Sequence, residues 1–405
     1  MANDQHPDSV GGTIATAITL GVVGLAAVAS IASAALTVIV ARSVVTPPRT
    51  RDEDIRILRS TPTTVTLSRT LDSLTPGQYS LWFSQDAGHA RVGEIIEMDV
   101  AGVTRELIAV DCGDLSTATR GRFSGWFYLG PTELGLDYTD VQIATPLGDA
   151  PAWLVPAEEE TGRWVIQVHG RAVRRAETLR AVPVFRTAGY TSLLVSYRND
   201  GDAPRSADNR YGLGDSEWSD IEAAISYAAE HGATDIVLMG WSMGGATVLQ
   251  AATRTAHPEL IRGVVLDSPV VDWVGVLEFQ GTSMRIPRPI RRAALEVISR
   301  KWGKRLTGQA EPINLARLDW VARSAELDLP ILLLHSADDG YVPSDGSKAL
   351  ALARPDIVTY DEFATARHTK LWNYDAPRWN EAISRWLRVL PSAHTGRSPR
   401  RSSAS

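Results

Sequence analysis

One cysteine in 405 residues, Cys112, excludes an intrachain disulfide and any metal centre built from several thiolates. Alone, it reads as a small apolar filler. No H-E-x-x-H run occurs, and neither a metal nor another cofactor is expected. An excess of basic residues is also missing. Lys and Arg number 41 against 47 Asp and Glu, a net charge of −6, which argues against a nucleic-acid partner. The last absence is local: no charged residue falls between Asp8 and Arg42.

That uncharged stretch, residues 11–41, is longer than the ~20 residues a helix needs to cross a bilayer. Its many Gly, Ala, Ser and Thr suit a transmembrane helix with closely packing faces, preceded by a short tail over residues 1–10. A cleaved signal peptide is the alternative, with "SIASAA" offering small residues for cleavage, although the tail carries no Lys or Arg. Arg42, Arg49 and Arg51 follow the stretch. By the positive-inside bias the rest of the chain is then expected on the cytoplasmic side of a single-pass membrane protein, with export as the alternative.

Elsewhere, 44% hydrophobic and 22% charged residues are ordinary for a chain that buries a core. Residues 42–63, proline-rich and charged, read as a linker. Residues 64–136 show short alternating runs ("TVTLS", "QYSLWFS", "VTRELIAV") split by turn clusters, so a small β-rich domain is expected. Its His89 reads as a surface or turn position. From residue 137 to 390 strands alternate with helices, which implies a mostly parallel sheet with helices on both faces. Residues 276–327 interrupt that rhythm and read as a short helical lid. Residues 391–405, rich in Ser and Arg, read as a disordered tail.

The chemistry centres on "VLMGWSMGGATVLQ". A G-x-S-x-G match alone is weak, since chance supplies it in about one in ten chains of this length. Here Gly240-Trp241-Ser242-Met243-Gly244 follows a buried-strand pattern and opens a helix, the setting a nucleophile elbow requires. A serine hydroxyl needs an imidazole to take its proton, and the imidazole needs a carboxylate to orient it. Both follow in the order Ser, Asp, His. The strand "PILLLHS" ends in "ADDGYVP", offering Asp338 and Asp339, and "FATARHTKLWN" places His368 just before a helix.

On these residues, Asp137 to about Leu390 resembles an α/β-hydrolase, within the broad group of membrane-anchored or exported bacterial serine hydrolases. That group's acid motif, H-x-x-x-D-x-x-V-P, matches from His335 to Pro343 and selects Asp339 over Asp338. Ser336 departs from the glycine usual after the motif histidine, outside the triad. The resemblance implies a catalytic set of Ser242, Asp339 and His368. It also implies an oxyanion hole from the backbone N–H groups of Met243 and, after "VHG", of Arg171. The arginines at 171, 174 and 175 invite an acidic substrate, but read equally as surface residues paired with Glu177. Asn199, Asp200, Tyr211 and Trp241 are candidates to line the substrate site. The expected activity is hydrolysis of carboxylic esters or thioesters of a small-molecule acyl substrate through an acyl-enzyme. A serine peptidase using the same triad is one alternative, and a catalytically retired binding scaffold is another.

Overall fold

The computed structural model describes residues 32–48 and 50–391; the predicted tails and residues 11–31 of the predicted span lie outside them. Among the described residues no helix is long and apolar enough to cross a membrane. Residues 32–45 are helical, and we label them α1. The end of α1 is not a lipid-facing surface: Ala41 and Val45 are completely buried in the same apolar cluster as the main sheet. Tyr211 N–H donates to the Val45 carbonyl at 2.8 Å, so the segment read as a linker begins as a docked helix end.

The expected linker holds a strand as well. β1 (Ile55–Ser60) joins β2 (Thr64–Leu67), β3 (Tyr79–Phe83), β4 (Gly88–Met98), β5 (Val103–Cys112) and β6 (Arg120–Ser124). They close an antiparallel barrel in the order β1-β2-β5-β4-β3-β6. Side chains alternate across a strand, and β5 shows it: Val103, Arg105 and Leu107 turn into the barrel while Glu106 faces water. "IRILRS" was obscured by its charges, because only Ile55 of that strand is fully buried. Cys112, expected as filler, ends β5 exposed.

The second unit is an eight-stranded sheet in the order β14-β13-β12-β11-β9-β10-β8-β7. Its strands are β7 (Thr139–Thr145), β8 (Gly148–Val155), β9 (Arg163–Val168), β10 (Thr191–Val195), β11 (Asp235–Trp241), β12 (Ile261–Asp267), β13 (Ile331–Ser336) and β14 (Val358–Phe363). From β10 through β14 neighbours run parallel, and the β7–β8 hairpin adds an antiparallel edge. Strand β11 is buried throughout and divides its side chains by parity. Ile236 and Leu238 join the cluster that takes in α3 (Trp218–Glu230) and α4 (Met243–Arg254). Val237, Met239 and Trp241 join the opposite cluster, with α2 (Val182–Thr187) and α10 (Ala376–Val389). Burial on both faces explains why these strands read as continuous apolar runs.

The helical segment expected over 276–327 begins slightly earlier, with α5 (Trp273–Ser283), followed by α6 (Arg288–Ser299) and the short α7 (Lys304–Thr307). Ile290, Ala294, Val297 and Ile298 form the buried stripe of α6, at helical spacing, while Arg288 and Arg292 face solvent. Two further helices, α8 (Asp345–Ala353) and α9 (Leu371–Tyr374), flank β14 in sequence.

Candidate active site

Ser242 stands between β11 and α4 with φ 51° and ψ −117°, a backbone conformation rarely adopted by a side-chain-bearing residue. Surrounding structure enforces it: Ser242 N–H donates to the Asp267 carbonyl at 3.1 Å, and its own carbonyl accepts from Gly245 and Val270. At Gly244 a Cβ would collide with the backbone carbonyls of Val168 and His169, so the first turn of α4 lies against the end of β9 only because that position is glycine.

The structure brings Ser242, His368 and Asp339 together although up to 126 residues separate them in sequence. Ser242 Oγ lies 3.0 Å from His368 Nε2, and His368 Nδ1 lies 2.7 Å from Asp339 Oδ2. With a carboxylate on Nδ1 the proton belongs there, leaving Nε2 to accept from the serine. Asp339 is heavily engaged. Its Oδ1 accepts the N–H groups of Tyr341 and Val342, both at 2.8 Å, and Oδ2 also faces His335 Nε2 at 3.2 Å. Burial alone would raise this carboxyl; the charge of His368 and hydrogen bonds from His335 and His368 outweigh it and hold Asp339 well below the usual carboxylate range. Its neighbour Asp338 instead accepts the Arg367 N–H at 3.0 Å and Ser336 Oγ at 2.7 Å, tying the histidine loop to the end of β13.

On the other side of Ser242, the Gly170 carbonyl accepts from Tyr197 Oη at 2.8 Å and faces His169 Nδ1 at 2.8 Å. Glu177 takes the Gly170 N–H at 3.0 Å. In a trans peptide the carbonyl and the following N–H point opposite ways, so pinning the Gly170 carbonyl also fixes the direction of the Arg171 amide. The Arg171 guanidinium has a separate task. Its Nη2 donates to the carbonyls of Ser43, Val44 and Thr46, at 2.8, 3.2 and 3.0 Å, capping the C-terminus of α1 with a cation. Arg174 and Arg175 both pair with Asp202, so these arginines are accounted for within the fold.

A cleft of about 1100 Å3 opens over Ser242. Its lining includes Val40 and Val44 of α1 and, from the α5–α6 segment, Leu277, Met284, Leu295 and Ile298. Asn199, Asp200 and Tyr211 lie along it, but their polar atoms are already committed. Asn199 binds Ser206 and the Arg210 carbonyl, Asp200 takes the N–H groups of Asp202 and Ala203 and meets His169, and the Tyr211 ring lies beneath Arg171. Trp241, expected to line the site, does not: its side chain points down from β11 into the opposite core and is completely buried. Parity decides this, because the residue next to Ser242 on the strand must face the other way.

The same three residue types meet once more, in the barrel. Ser80 Oγ lies 2.7 Å from His89 Nε2, and His89 Nδ1 lies 2.9 Å from Asp111. Ser80 and His89 are completely buried, against the surface position expected for His89, and the Ser80 hydroxyl donates to the Trp126 carbonyl. Neither residue lines the cleft over Ser242. Access separates the two constellations, and only Ser242 has it. Among the described residues no group of three or more His, Cys, Asp or Glu is placed to hold a metal.

Sequence reasoning missed the neighbours of His368. Tyr341 lies 5.1 Å from its ring, and Arg367 and Lys370 on either side reach Asp72 of the barrel domain, whereas His335, already placed near the site by its motif, shares the Asp339 carboxylate. Only the charges in "ARHTK" hinted at Arg367 and Lys370.

Residues 180–356 match the Prolyl oligopeptidase family, and residues 56–124 match a domain of unknown function, DUF8805. No curated protein matches the chain. Among solved structures, the Pyrococcus furiosus esterase Pf2001 is similar at 17% identity and a TM-score of 0.50, covering 64% of this chain and 93% of that one. The esterase RhEst1 from Rhodococcus sp. ECU1013 aligns at 18% identity and a TM-score of 0.44, over 62% of this chain and 99% of its own. The Pyrococcus horikoshii acylaminoacyl peptidase aligns at 15% identity and a TM-score of 0.48, over 83% of this chain and 56% of its own. Sheet order, elbow and the likeness to the Pyrococcus furiosus esterase agree on the fold: the eight-stranded sheet and its helices form an α/β-hydrolase fold.

Proposed function

We propose that the protein is a serine hydrolase that cleaves carboxylic esters or thioesters. The observation that carries this reading is the Ser242–His368–Asp339 relay open to a cleft lined in part by apolar side chains. His368 Nε2 takes the Ser242 proton as Oγ attacks the acyl carbon, and the Met243 and Arg171 amides stabilise the oxyanion. The C–O or C–S bond then breaks, and His368 returns the proton to the departing alcohol or thiol. Water, deprotonated by the same imidazole, hydrolyses the acyl-enzyme and frees Ser242. Labelling by a fluorophosphonate tests the nucleophile: wild type is expected to label, and Ser242→Ala is not. Equal labelling of both would refute the assignment.

The acyl chain is assigned to the apolar lining that α1 and the α5–α6 segment contribute. Each buried methylene contributes about 0.8 kcal/mol, so octanoate should be preferred over acetate by at least about tenfold in kcat/KM. Leu277→Trp and Val40→Trp each put a bulky ring on that apolar lining. Both are expected to erase the preference while leaving acetate hydrolysis within about threefold. A nitrophenyl ester series measures it, and parallel loss on all chain lengths would overturn the assignment.

The match to the Prolyl oligopeptidase family favours a second reading, peptide-bond hydrolysis by the same residues. Aminoacyl-nitroanilides cleaved faster than any ester would make it the better one. Attachment to a membrane through the part of residues 11–41 that precedes the docked end of α1 is proposed on the sequence alone, with the catalytic domain on the cytoplasmic side; an alkaline phosphatase fusion after residue 60 is then inactive.

A further inference from the structure

The β-barrel meets the catalytic domain at the loop that carries His368. Asp72, in the segment between β2 and β3, sends Oδ1 to Arg367 Nε at 3.3 Å and Oδ2 to Lys370 Nζ at 2.8 Å. These are the residues one before and two after His368. Five residues beyond the histidine, Asn373 and Gln78 exchange two hydrogen bonds: Gln78 N–H to the Asn373 carbonyl at 3.0 Å, and Asn373 Nδ2 to the Gln78 carbonyl at 2.9 Å. Gly77 lets the chains approach this closely, with φ +106° and its Cβ position occupied by the Asn373 carbonyl. The barrel thus grips the histidine loop at both ends.

The loop needs that grip. Arg367 and Thr369 both hold positive φ, 64° and 52°, so the backbone on each side of His368 sits where side-chain-bearing residues are disfavoured. A loop so strained keeps its shape only when its surroundings over-determine it. From the catalytic domain come the Asp338 contact to the Arg367 amide, Ser268 Oγ accepting the Thr369 amide at 3.0 Å, and Arg180 donating to the Thr369 carbonyl at 2.8 Å. Ser336, Asp338 and Arg180 add ties to Ala366, Arg367 and Asn373 from the same domain, and Asp72, Gln78 and Gly77 add those of the barrel. On that side the grip is anchored in the core: Arg105 inside the barrel donates to the carbonyls of Ser73, Thr75 and Gly77, fixing the segment that presents Asp72 and Gln78. The Asp72 carboxylate is held in its charged form. Burial would raise it, and Lys370 and Arg367 outweigh that and lower it.

We infer that the barrel is a clamp for the histidine loop, with Asp72 as the positioning residue that keeps His368 aligned between Ser242 and Asp339. This rests on the serine-hydrolase reading and gives Asp72, which does not line the cleft, a part in catalysis. Asp72→Asn keeps the shape but removes the charge, taking from Lys370 the carboxylate it pairs with and leaving Arg367 to Asp338. A shift of about 1 Å in a reacting group costs on the order of 10²-fold. The expected result is a fall in kcat of ten- to a hundredfold with KM within twofold. Hydrogen exchange over residues 364–374 should accelerate while the barrel strands stay protected. Lys370→Gln should do the same more weakly, and adding it to Asp72→Asn should cost less than the sum, because both act through one tie. Asp114→Asn, on an exposed barrel turn, is the control and should match wild type. Unchanged kcat and loop exchange in Asp72→Asn would overturn the clamp. So would a loss of kcat traced to melting of the whole barrel. A wild type that fluorophosphonate never labels would instead condemn the hydrolase reading, independently of the exchange result.

Discussion

Replacing Asp339 with asparagine is expected to lower kcat by about four orders of magnitude while leaving the fold intact. The reason lies in which atom must face which. Tyr341 and Val342 point two N–H donors at Oδ1, so the asparagine oxygen is held there. Its amide NH2 then falls at the Oδ2 position, 2.7 Å from His368 Nδ1. A donor in that place forces Nδ1 to accept, which moves the imidazole proton to Nε2. Nε2 then faces Ser242 with a hydrogen and cannot take the serine proton. Steady-state turnover of a nitrophenyl ester measures the loss, and a residual rate within tenfold of wild type would show that Asp339 does not set the tautomer. The same substitution has a pH signature in stability. The Asp339 carboxyl lies lower in the folded chain than its ordinary value near 4, so its stabilisation is fully present above about pH 4 and lost as pH falls through the folded value. Asp339→Asn should be less stable than wild type at pH 7, with the gap closing in acid.

The second large effect is structural. Arg105→Ala is expected to cost about 3–5 kcal/mol, in the range reserved for breaking a buried polar network. Arg105 is completely buried, and burial pulls its guanidinium down to about 10, leaving it charged at neutral pH. Four carbonyls solvate that charge: Gly93 at 2.9 Å, Ser73 at 3.0 Å, Thr75 at 2.8 Å and Gly77 at 2.6 Å. Two ring faces, of Tyr79 and Phe123, lie 5.3 and 5.4 Å away. Alanine leaves the carbonyls without a shared donor and a void in a small core. Lysine restores the charge but offers its donors from one nitrogen, so it should recover less than half. Calorimetry should place the midpoint at least about 10 °C lower for Arg105→Ala. A drop under 3 °C would mean that water satisfies the segment as well as arginine does.

The two residues illustrate different degrees of legibility. Asp339 was marked by a local motif that runs only from His335 to Pro343 and ends one strand. Arg105 carried the opposite sign: a charged residue inside an alternating run reads as facing water, yet parity with Val103 and Leu107 turns it inward. Parity also moved Trp241 away from the cleft, and it was readable in advance from its place beside Ser242. Strand β1 and the docked end of α1 were hidden for another reason. Their burial depends on partners elsewhere, Leu67 and Thr66 across the barrel for one and Tyr211 with Arg171 for the other.

What the sequence alone determined is whatever short-range chemistry specifies. That covers the alternation of apolar strands and amphipathic helices, the glycine-bearing elbow at Ser242, and the order of an acid and an imidazole at later strand ends. Periodicity and turn geometry act over a few residues and leave their mark there. Tertiary structure alone decided which serine, histidine and carboxylate set can be reached. The Ser80, His89 and Asp111 arrangement has comparable distances, but its serine and histidine are completely buried. It also decided that Asp72 grips residues almost 300 positions away. Such contacts arise when separate cores pack against each other, and burial is a property of what covers a residue rather than of the residue itself.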